Sequence, residues 1–159
     1  MTDKTKNVYV ILHNTHAVSK VVETAQVVYG LGFTNYIVTK AEGSAAQTGV
    51  PEANRIAMKM NGSFMILPDL KDALELLDIE RPMMIASPVL VKDRIDISSI
   101  AGHIKSGERL VIVLSGSTSS FSRKEMDMGK CFSLEARVDI GPAGTASIIL
   151  HSIAQELNK

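Results

Sequence analysis

The stretch Arg109–Gly116, RLVIVLSG, combines an uninterrupted apolar run with a turn of small residues that follows at once. Continuous apolar runs of this length predict strands that are covered on both faces, as the strands of parallel sheets are. Four runs of the same kind occur at Val8–His13, Asn35–Thr39, Ser63–Leu67 and Pro82–Ala86. The sequence therefore predicts a mostly parallel sheet at the core.

Helical patterns lie between these strands. Apolar residues recur at intervals of three and four in Ala17–Tyr29 and in Ala143–Leu157, and shorter helices are predicted for Pro51–Met60, Asp69–Leu77 and Ser98–Lys105. Alternation of strands and helices along the whole chain predicts an α/β fold with helices on both faces of the sheet.

The C-terminal part of the pattern is less regular. A sixth strand is predicted for Ala136–Ile140, ARVDI, which ends at Gly141-Pro142. The segment Ser115–Lys130 before it shows no clear period and is long for a connection in a compact domain. Such loops often carry function. No repeat or linker divides the sequence, so one domain is expected over residues 1–159.

Composition excludes several classes of protein. Seventeen Lys and Arg balance seventeen Asp and Glu, so a global basic field for nucleic acid is absent. The single cysteine, Cys131, excludes an intrachain disulfide and a multi-cysteine zinc site. The apolar run Val8–Leu12 is too short for a signal peptide or a membrane span, so a cytoplasmic protein without a membrane partner is expected.

Small residues form the first candidate site, in three loops near the C-terminus. These are Ser87-Pro88, Leu114–Ser117 and Ile140–Thr145. In open α/β sheets, ligands bind outside the carboxyl ends of the strands, and the start of the last helix, Gly144–Ser147, is expected to offer free amides to an anion. Ordinary turn chemistry explains the same residues, because Gly and Pro occur in most connections.

A second candidate is the loop Ser122–Lys130, where Arg123 and Lys124 are suited to contact RNA phosphates. A solvated loop or a dimer contact explains these charges as well. No metal site is expected, because His13 and His16 lack further ligands nearby in the sequence. A phosphate-binding GxxxxGK[ST] loop is also absent.

The last third of the chain resembles the SPOUT superfamily, whose members are S-adenosylmethionine-dependent RNA methyltransferases with a trefoil knot. The resemblance is carried by ERLVIVLSGSTSS (108–120) and FSLEARVDIGPAGTASIILHSIAQEL (132–157). In that superfamily a glycine-containing loop, a short turn like Ile-Pro and the start of the final helix cradle the methyl donor. The matching segments here are Leu114–Gly116, Ile140–Pro142 and Gly144–Ser147.

The resemblance implies a specific set of donor-binding residues. They are Ser87, Leu114, Ser115, Gly116, Ile140, Gly141, Pro142, Gly144, Thr145, Ala146 and Ser147. It also implies a C-terminal trefoil knot and a homodimer in which a second subunit completes the donor pocket. The implied reaction is methyl transfer from S-adenosylmethionine to a ribose hydroxyl or base atom of rRNA or tRNA.

A further motif of the superfamily is similar to Ala17–Ala25 followed by Gly32-Phe33, but it departs at functional positions. Glu23 stands at the superfamily's Arg, which reverses the charge, and Ala17 replaces an Asn. Thr145 stands roughly where the last motif has Asn. The donor site therefore carries over better than the catalytic chemistry, and Arg123 and Lys124 are the remaining catalytic candidates.

Two alternatives stay open. Glu23 favours a non-catalytic nucleotide- or RNA-binding module on the same fold. The whole chain also resembles a small archaeal group that has been labelled RecB-family nuclease. Nucleases of that type need an Asp and a Glu-x-Lys on adjoining strands to hold a divalent cation. Asp139 lies on a predicted strand, but no Glu-x-Lys follows it.

Overall fold

Six parallel strands form the centre of the computed structural model, which describes residues 3–159. The strands are β1 (Val8–Thr15), β2 (Asn35–Ala41), β3 (Ser63–Leu67), β4 (Met83–Ile85), β5 (Leu110–Ser115) and β6 (Lys130–Phe132). Their order across the sheet is β3-β2-β1-β5-β4-β6, and all neighbouring pairs are parallel. The predicted α/β class with a parallel sheet is confirmed, and the trefoil knot stays a prediction.

The helices begin and end within one residue of the five predicted segments. These five are α1 (Val18–Gly30), α2 (Val50–Lys59), α3 (Leu70–Leu77), α4 (Ile97–Lys105) and α6 (Pro142–Leu157), and a sixth helix, α5 (Arg123–Met126), was not predicted. A 3-10 turn (Asp3–Asn7) precedes β1, and one turn of π-helix (Ala45–Gly49) precedes α2. Among residues 3–159, no helix has both the length and the apolar character of a membrane span.

Local sequence explains where α3 begins. The Asp69 carboxylate accepts a hydrogen bond from the Leu70 N–H at 2.7 Å, and the Asp69 N–H donates to the Asp72 carboxylate at 3.0 Å. This reciprocal capping satisfies amides that have no partner within the helix. Asp69, the first residue of the predicted helix Asp69–Leu77, is therefore the N-cap of α3.

Alternate residues of the central strands pack against helices on opposite faces of the sheet. Val10 and Leu12 of β1 lie in a core with α1, α2, α4 and α6. Ile11 lies on the other face, in a core with α3 and Phe121. Both layers are dry, because the side chains of Val10, Ile11 and Leu12 are at most 1% exposed. Helices on both faces are thus confirmed.

The sixth strand was predicted at the wrong place. Residues 136–140 form no strand, and β6 lies earlier in the chain, beside β4. The chain leaves the sheet at Ser133, whose N–H donates to the Asp93 carbonyl at 2.8 Å. Two apolar residues of ARVDI are consequently exposed, Val138 at 59% and Ile140 at 45%. A strand of three half-exposed or exposed residues carries little apolar signal, which explains the error.

The segment Ser115–Lys130 also differs from the predicted irregular loop, because it contains α5. Ser122 and Glu125 form a reciprocal cap, in which the Ser122 hydroxyl accepts from the Glu125 N–H and the Glu125 carboxylate accepts from the Ser122 N–H. Phe121 is 4% exposed and lies in the second core with Met126 and Met128. The segment is therefore packed onto the sheet.

A buried histidine attaches α5 to the centre of the sheet. The His13 ring, 1% exposed, lies with Nε2 2.6 Å from the Glu125 Oε2 and Nδ1 2.8 Å from the Thr39 hydroxyl. The interaction joins β1, β2 and the segment between β5 and β6. Burial of the Glu125 carboxyl group acts to raise its pKa. The hydrogen bonds from the Ser122 N–H and the His13 ring have a larger, opposite effect, so the pKa of Glu125 lies below its ordinary value.

The chain then returns to the sheet through Gly129, which lies close beneath the residue that precedes β4. A Cβ atom at position 129 would lie 2.3 Å from the Pro82 carbonyl oxygen. Only a residue without a side chain fits there, because backbone atoms of both segments would have to separate.

Gly129→Ala is expected to lower the free energy of unfolding by about 1 to 3 kcal/mol, the usual range for overpacking a close contact. Gly102→Ala is the matched control, because Gly102 lies within α4 and a Cβ atom at this position would meet no other atom within 4 Å. Gly102→Ala is expected to raise the free energy of unfolding by about 0.5 to 1 kcal/mol. Urea unfolding of both variants measures the difference, and equal effects would contradict the close approach.

Glu125→Gln is expected to destabilise the protein at neutral pH and to lose this effect in acid. A carboxyl group whose pKa is lowered by folding stabilises the protein above its unfolded-state pKa, and this stabilisation disappears as the pH falls through the folded-state value. Thermal unfolding from pH 7 to pH 3 should therefore show converging curves for wild type and variant. Glu80→Gln, at an exposed carboxylate, is the control, and parallel curves for Glu125→Gln would refute the role of the pair.

Candidate functional site

A crevice opens at the carboxyl ends of β4 and β5, on the face that α4 and α6 cover. The lining residues come from the ends of both strands, from the segment after β6 and from the start of α6. They are Ile85, Ala86, Pro88, Leu114, Ser115, Leu134, Ala136, Val138, Asp139, Ile140, Gly141, Pro142 and Thr145. We call this space the carboxyl-edge crevice.

The loop after β5 forms a wall that is held against β1. The Gly116 N–H donates to the His13 carbonyl at 2.8 Å, and a Cβ at position 116 would lie 2.5 Å from the Thr15 Cβ. From α1, the Lys20 ammonium donates to the Gly116 carbonyl at 2.8 Å. The Ser115 hydroxyl accepts from the Ser117 N–H at 3.1 Å. These bonds fix the backbone beside the crevice.

The loop after β4 is held by the same region of the chain. The Ser87 N–H donates to the Ser120 hydroxyl at 3.2 Å, and Ser120 has the left-handed backbone angle φ 63°. Backbone in this conformation is costly for residues other than glycine and is concentrated at functional sites. The loops after β4 and β5 therefore form one connected wall.

The third wall depends on a glycine turn before α6. Gly141 has φ 88°, and its N–H donates to the Asp139 carboxylate at 2.8 Å. Pro142 has no N–H, and the Thr145 N–H donates to the Gly141 carbonyl at 3.0 Å. The free amides of this helix start are thus those of Ala143 and Gly144. The prediction of free amides over Gly144–Ser147 was placed too late, because the helix begins at Pro142.

Six of the predicted donor-binding residues line the crevice. They are Leu114, Ser115, Ile140, Gly141, Pro142 and Thr145. Ser87 lies between the lining residues Ala86 and Pro88, and Gly116 follows Ser115 in the wall. Gly144 faces the Ile140 side chain, because a Cβ there would lie 3.4 Å from the Ile140 Cδ1.

Two predicted residues of α6 lie elsewhere. Ala146 is 2% exposed in the core beneath the helix. Ser147 donates from its hydroxyl to the Ala143 carbonyl at 2.8 Å and borders an apolar groove between α1 and α6 with Val27 and Ile148. The helical period turns these side chains away from the crevice.

The basic candidates Arg123 and Lys124 are also outside the lining of the crevice. Both side chains are exposed on α5, whose Met126 packs on the face of the sheet opposite to α6. Glu23 is exposed on α1. A cation that does contact the crevice wall is Lys20, which no sequence signal indicated.

Sequence reasoning missed the segment Leu134–Asp139, which supplies four lining residues. Residues 136–139 of this segment belonged to the predicted strand Ala136–Ile140, so their side chains were expected in a sheet, and Leu134 was assigned to no element. Ile85 and Ala86 could have been found, since they end the predicted strand Pro82–Ala86.

The crevice combines apolar side chains with a few polar groups. Leu114, Leu134 and Val138 offer surfaces for a flat ring. The free amides of Ala143 and Gly144 lie in the chain between the lining residues Pro142 and Thr145 and suit a carboxylate or other anion. Within residues 3–159, no group of three or more His, Cys, Asp or Glu side chains is arranged to hold a metal ion.

Solved structures share this fold at low sequence identity. A probable methyltransferase from Bordetella pertussis Tohama I matches with TM-score 0.76 at 16% identity, and the match covers 99% of each chain. The SpoU methyltransferase AviRb from Streptomyces viridochromogenes, solved in complex with the cofactor AdoMet, matches with TM-score 0.66 at 11% identity. That match covers 92% of this chain and 59% of AviRb. The α/β fold expected from the SPOUT resemblance is confirmed, apart from its trefoil knot, which stays a prediction.

Sequence relatives carry a different name. A protein of Methanocaldococcus jannaschii, MjaORF1200P, is 26% identical over 152 residues, which cover 96% of this chain and 99% of the relative. Its name assigns it provisionally to the type II restriction enzymes. A family model described as "RecB-family nuclease (DUF2122)" matches residues 43–152. The chain therefore belongs to the DUF2122 family, and its fold is shared with SpoU-type methyltransferases.

Proposed function

We propose that the protein is an S-adenosylmethionine-dependent methyltransferase that modifies RNA, with the methyl donor bound in the carboxyl-edge crevice. One observation carries the proposal. Leu114–Ser115, Ile140–Pro142 and Thr145, which belong to the three segments that the SPOUT resemblance implies for donor binding, line the same crevice. Turn chemistry alone gives no reason for these distant segments to meet around one cavity.

The residues of the crevice fit the chemistry of the donor. Leu114, Leu134 and Ile140 provide an apolar slot for adenine and ribose, and backbone groups of the wall fix the adenine edge. The amides of Ala143 and Gly144 suit the donor's carboxylate. When bound, the donor supplies an electrophilic methyl group on a sulfonium. Placement of the acceptor atom then contributes more than covalent help from the protein.

The chain has no net charge, so the proposed contacts with RNA depend on a local set of basic side chains. Arg123 and Lys124 are exposed on α5, between β5 and β6, and we assign them to phosphate contacts outside the crevice. Such contacts position RNA without selecting its sequence. The general base remains unassigned among the residues that line the crevice.

The proposal includes a homodimer that covers the mouth of the crevice. Four apolar side chains stand exposed around it, Val89 at 68%, Leu90 at 53%, Val138 at 59% and Ile140 at 45%. Ile148 on α6 is 50% exposed beside the groove between α1 and α6. Exposed apolar clusters of this kind mark interaction surfaces. A second subunit seated here would shield the donor from water.

A nuclease is the second candidate, favoured by the family description and by the name of the M. jannaschii relative. Asp139, the acidic residue that would bind a cation in a nuclease of this type, was predicted to lie on a strand. That prediction is wrong, because Asp139 lies in the segment before α6 and its carboxylate accepts the Gly141 N–H. Magnesium-dependent DNA cleavage that is lost in Asp139→Ala would favour the nuclease.

Calorimetric titration with S-adenosylmethionine tests donor binding directly. We expect saturable binding to wild type and an affinity at least about tenfold lower, or about 1.4 kcal/mol, for Ala136→Phe, because the larger side chain fills the slot. Ala136→Ser is the control of similar size, and circular dichroism checks the fold. A flat titration of wild type up to millimolar donor would exclude the proposal. Binding without methyl transfer to any RNA pool would indicate the non-catalytic module.

Ile148→Lys is expected to halve the molar mass of the protein, because it places a charge in the proposed α6 interface. It is also expected to weaken donor binding, because the separated subunits would no longer cover the mouth of the crevice. Gln155→Lys, an exposed change on the same helix, is the control. Light scattering gives the mass and calorimetry gives the affinity. An unchanged mass would argue against a dimer through α6, while donor binding would still be judged by the titration above.

A further inference from the structure

The sheet ends on one side at β3, whose sequence SFMIL contains no charged residue. Two of its side chains are unusually exposed for apolar groups, Met65 at 41% and Ile66 at 44%. Proteins usually protect an edge strand with charges, prolines or bulges, because its open backbone can pair with another chain. The five residues of β3 contain none of these, and Pro68 follows the strand.

Apolar side chains extend this surface over both faces of the sheet. Met58 is 72% exposed and Met60 is 52% exposed at the end of α2, and Leu76 is 57% exposed on α3. Together with Met65 and Ile66, they form what we call the β3 edge surface. It lies at the side of the sheet away from β4 and β6, and therefore away from the carboxyl-edge crevice.

The backbone of β3 shows which kind of partner fits. The Ser63 N–H donates to the Thr34 carbonyl at 2.7 Å, and Ser63 is in register with Asn35 of β2. Because hydrogen-bonding direction alternates along a strand, Met65 and Leu67 also bond towards β2. The N–H and C=O groups of Phe64 and Ile66 then point outward, where the described residues place no further strand. An extended chain beside β3 can form hydrogen bonds with these outward N–H and C=O groups.

We propose that two copies of this protein pair through β3, antiparallel, with a two-fold axis at Met65. In this register, Phe64 lies opposite Ile66 of the second copy, so the two residues with outward backbone groups form a hydrogen-bonded pair. Met65 lies opposite its own copy in a non-hydrogen-bonded pair. The strand is thus self-complementary, which is what a two-fold interface requires.

Charge supports a second copy as the occupant. On a strand this short, a two-fold axis places each residue opposite its own copy or within a few residues of it, so a strand with charges of one sign would bring like charges together. SFMIL has no charge to repel, and its apolar side chains face apolar side chains in the proposed register. Met58, Met60 and Leu76 add contacts on both faces of the joined sheet. The proposal is independent of the methyltransferase proposal and uses a different surface.

Cysteine cross-linking tests the register. In a Cys131→Ser background, Met65→Cys is expected to form an intermolecular disulfide on mild oxidation, because opposed residues bring their Cβ atoms to about 4.5 to 5.5 Å. Met58→Cys is the matched control, since Met58 is more exposed and belongs to the same surface but lies off the axis. Equal cross-linking at both positions would indicate non-specific association and would overturn the proposal.

Light scattering tests the interface without a cysteine. Ile66→Lys is expected to halve the molar mass of wild type and to leave donor binding unchanged. Circular dichroism checks its fold, which should persist because Ile66 is 44% exposed. Ile148→Lys separates this interface from the one at α6. A mass that Ile66→Lys leaves unchanged, together with no excess cross-linking of Met65→Cys over Met58→Cys, would overturn the proposal.

Discussion

The parallel pairing of β1 with β5 is the constraint on which the rest of the structure depends. It joins Val8 to Leu110 and continues to His13 and Ser115, residues about a hundred positions apart in the chain. The Gly116 N–H extends the pairing by one bond to the His13 carbonyl. Because parallel strands end at one edge, the loop after β5 is brought beside the loop after β4, and both become walls of the crevice.

Most of the sheet was predictable from the sequence because five strands are continuous apolar runs, and the helices followed from their period and from caps such as Asp69. The strand β6 was not predictable from the sequence, because Lys130–Phe132 pairs through its backbone and has few apolar side chains. Similarly, no local pattern joins His13 to Glu125, which lie 112 residues apart. Half of the candidate site was found because glycine and proline mark the turns, and Leu134–Asp139 was missed because its apolar residues resemble a strand.

The family name and the fold point to different chemistry. A nuclease of the named type needs carboxylates arranged around a cation, whereas the carboxylate of Asp139 is used to hold the Gly141 turn. A methyltransferase needs a shaped slot and fixed backbone groups, and Lys20, Gly116 and Gly141 supply such fixation here. For the proposed methyltransferase, the departure at Glu23 bears on the acceptor, whereas the departure at Thr145 lies in a segment assigned to the donor.

The distance in sequence between β1 and β5 also has a consequence for biosynthesis. The strands β1, β2 and β3 are neighbours in the sheet in chain order, joined by α1 and α2, which permits the first half of the chain to assemble as it leaves the ribosome. The other side of β1, with its run VYVILH, has no partner until more than a hundred residues have been translated. Contacts between such distant segments fold slowly. One side of the β1 backbone therefore stays without its strand partner until β5 has been synthesised.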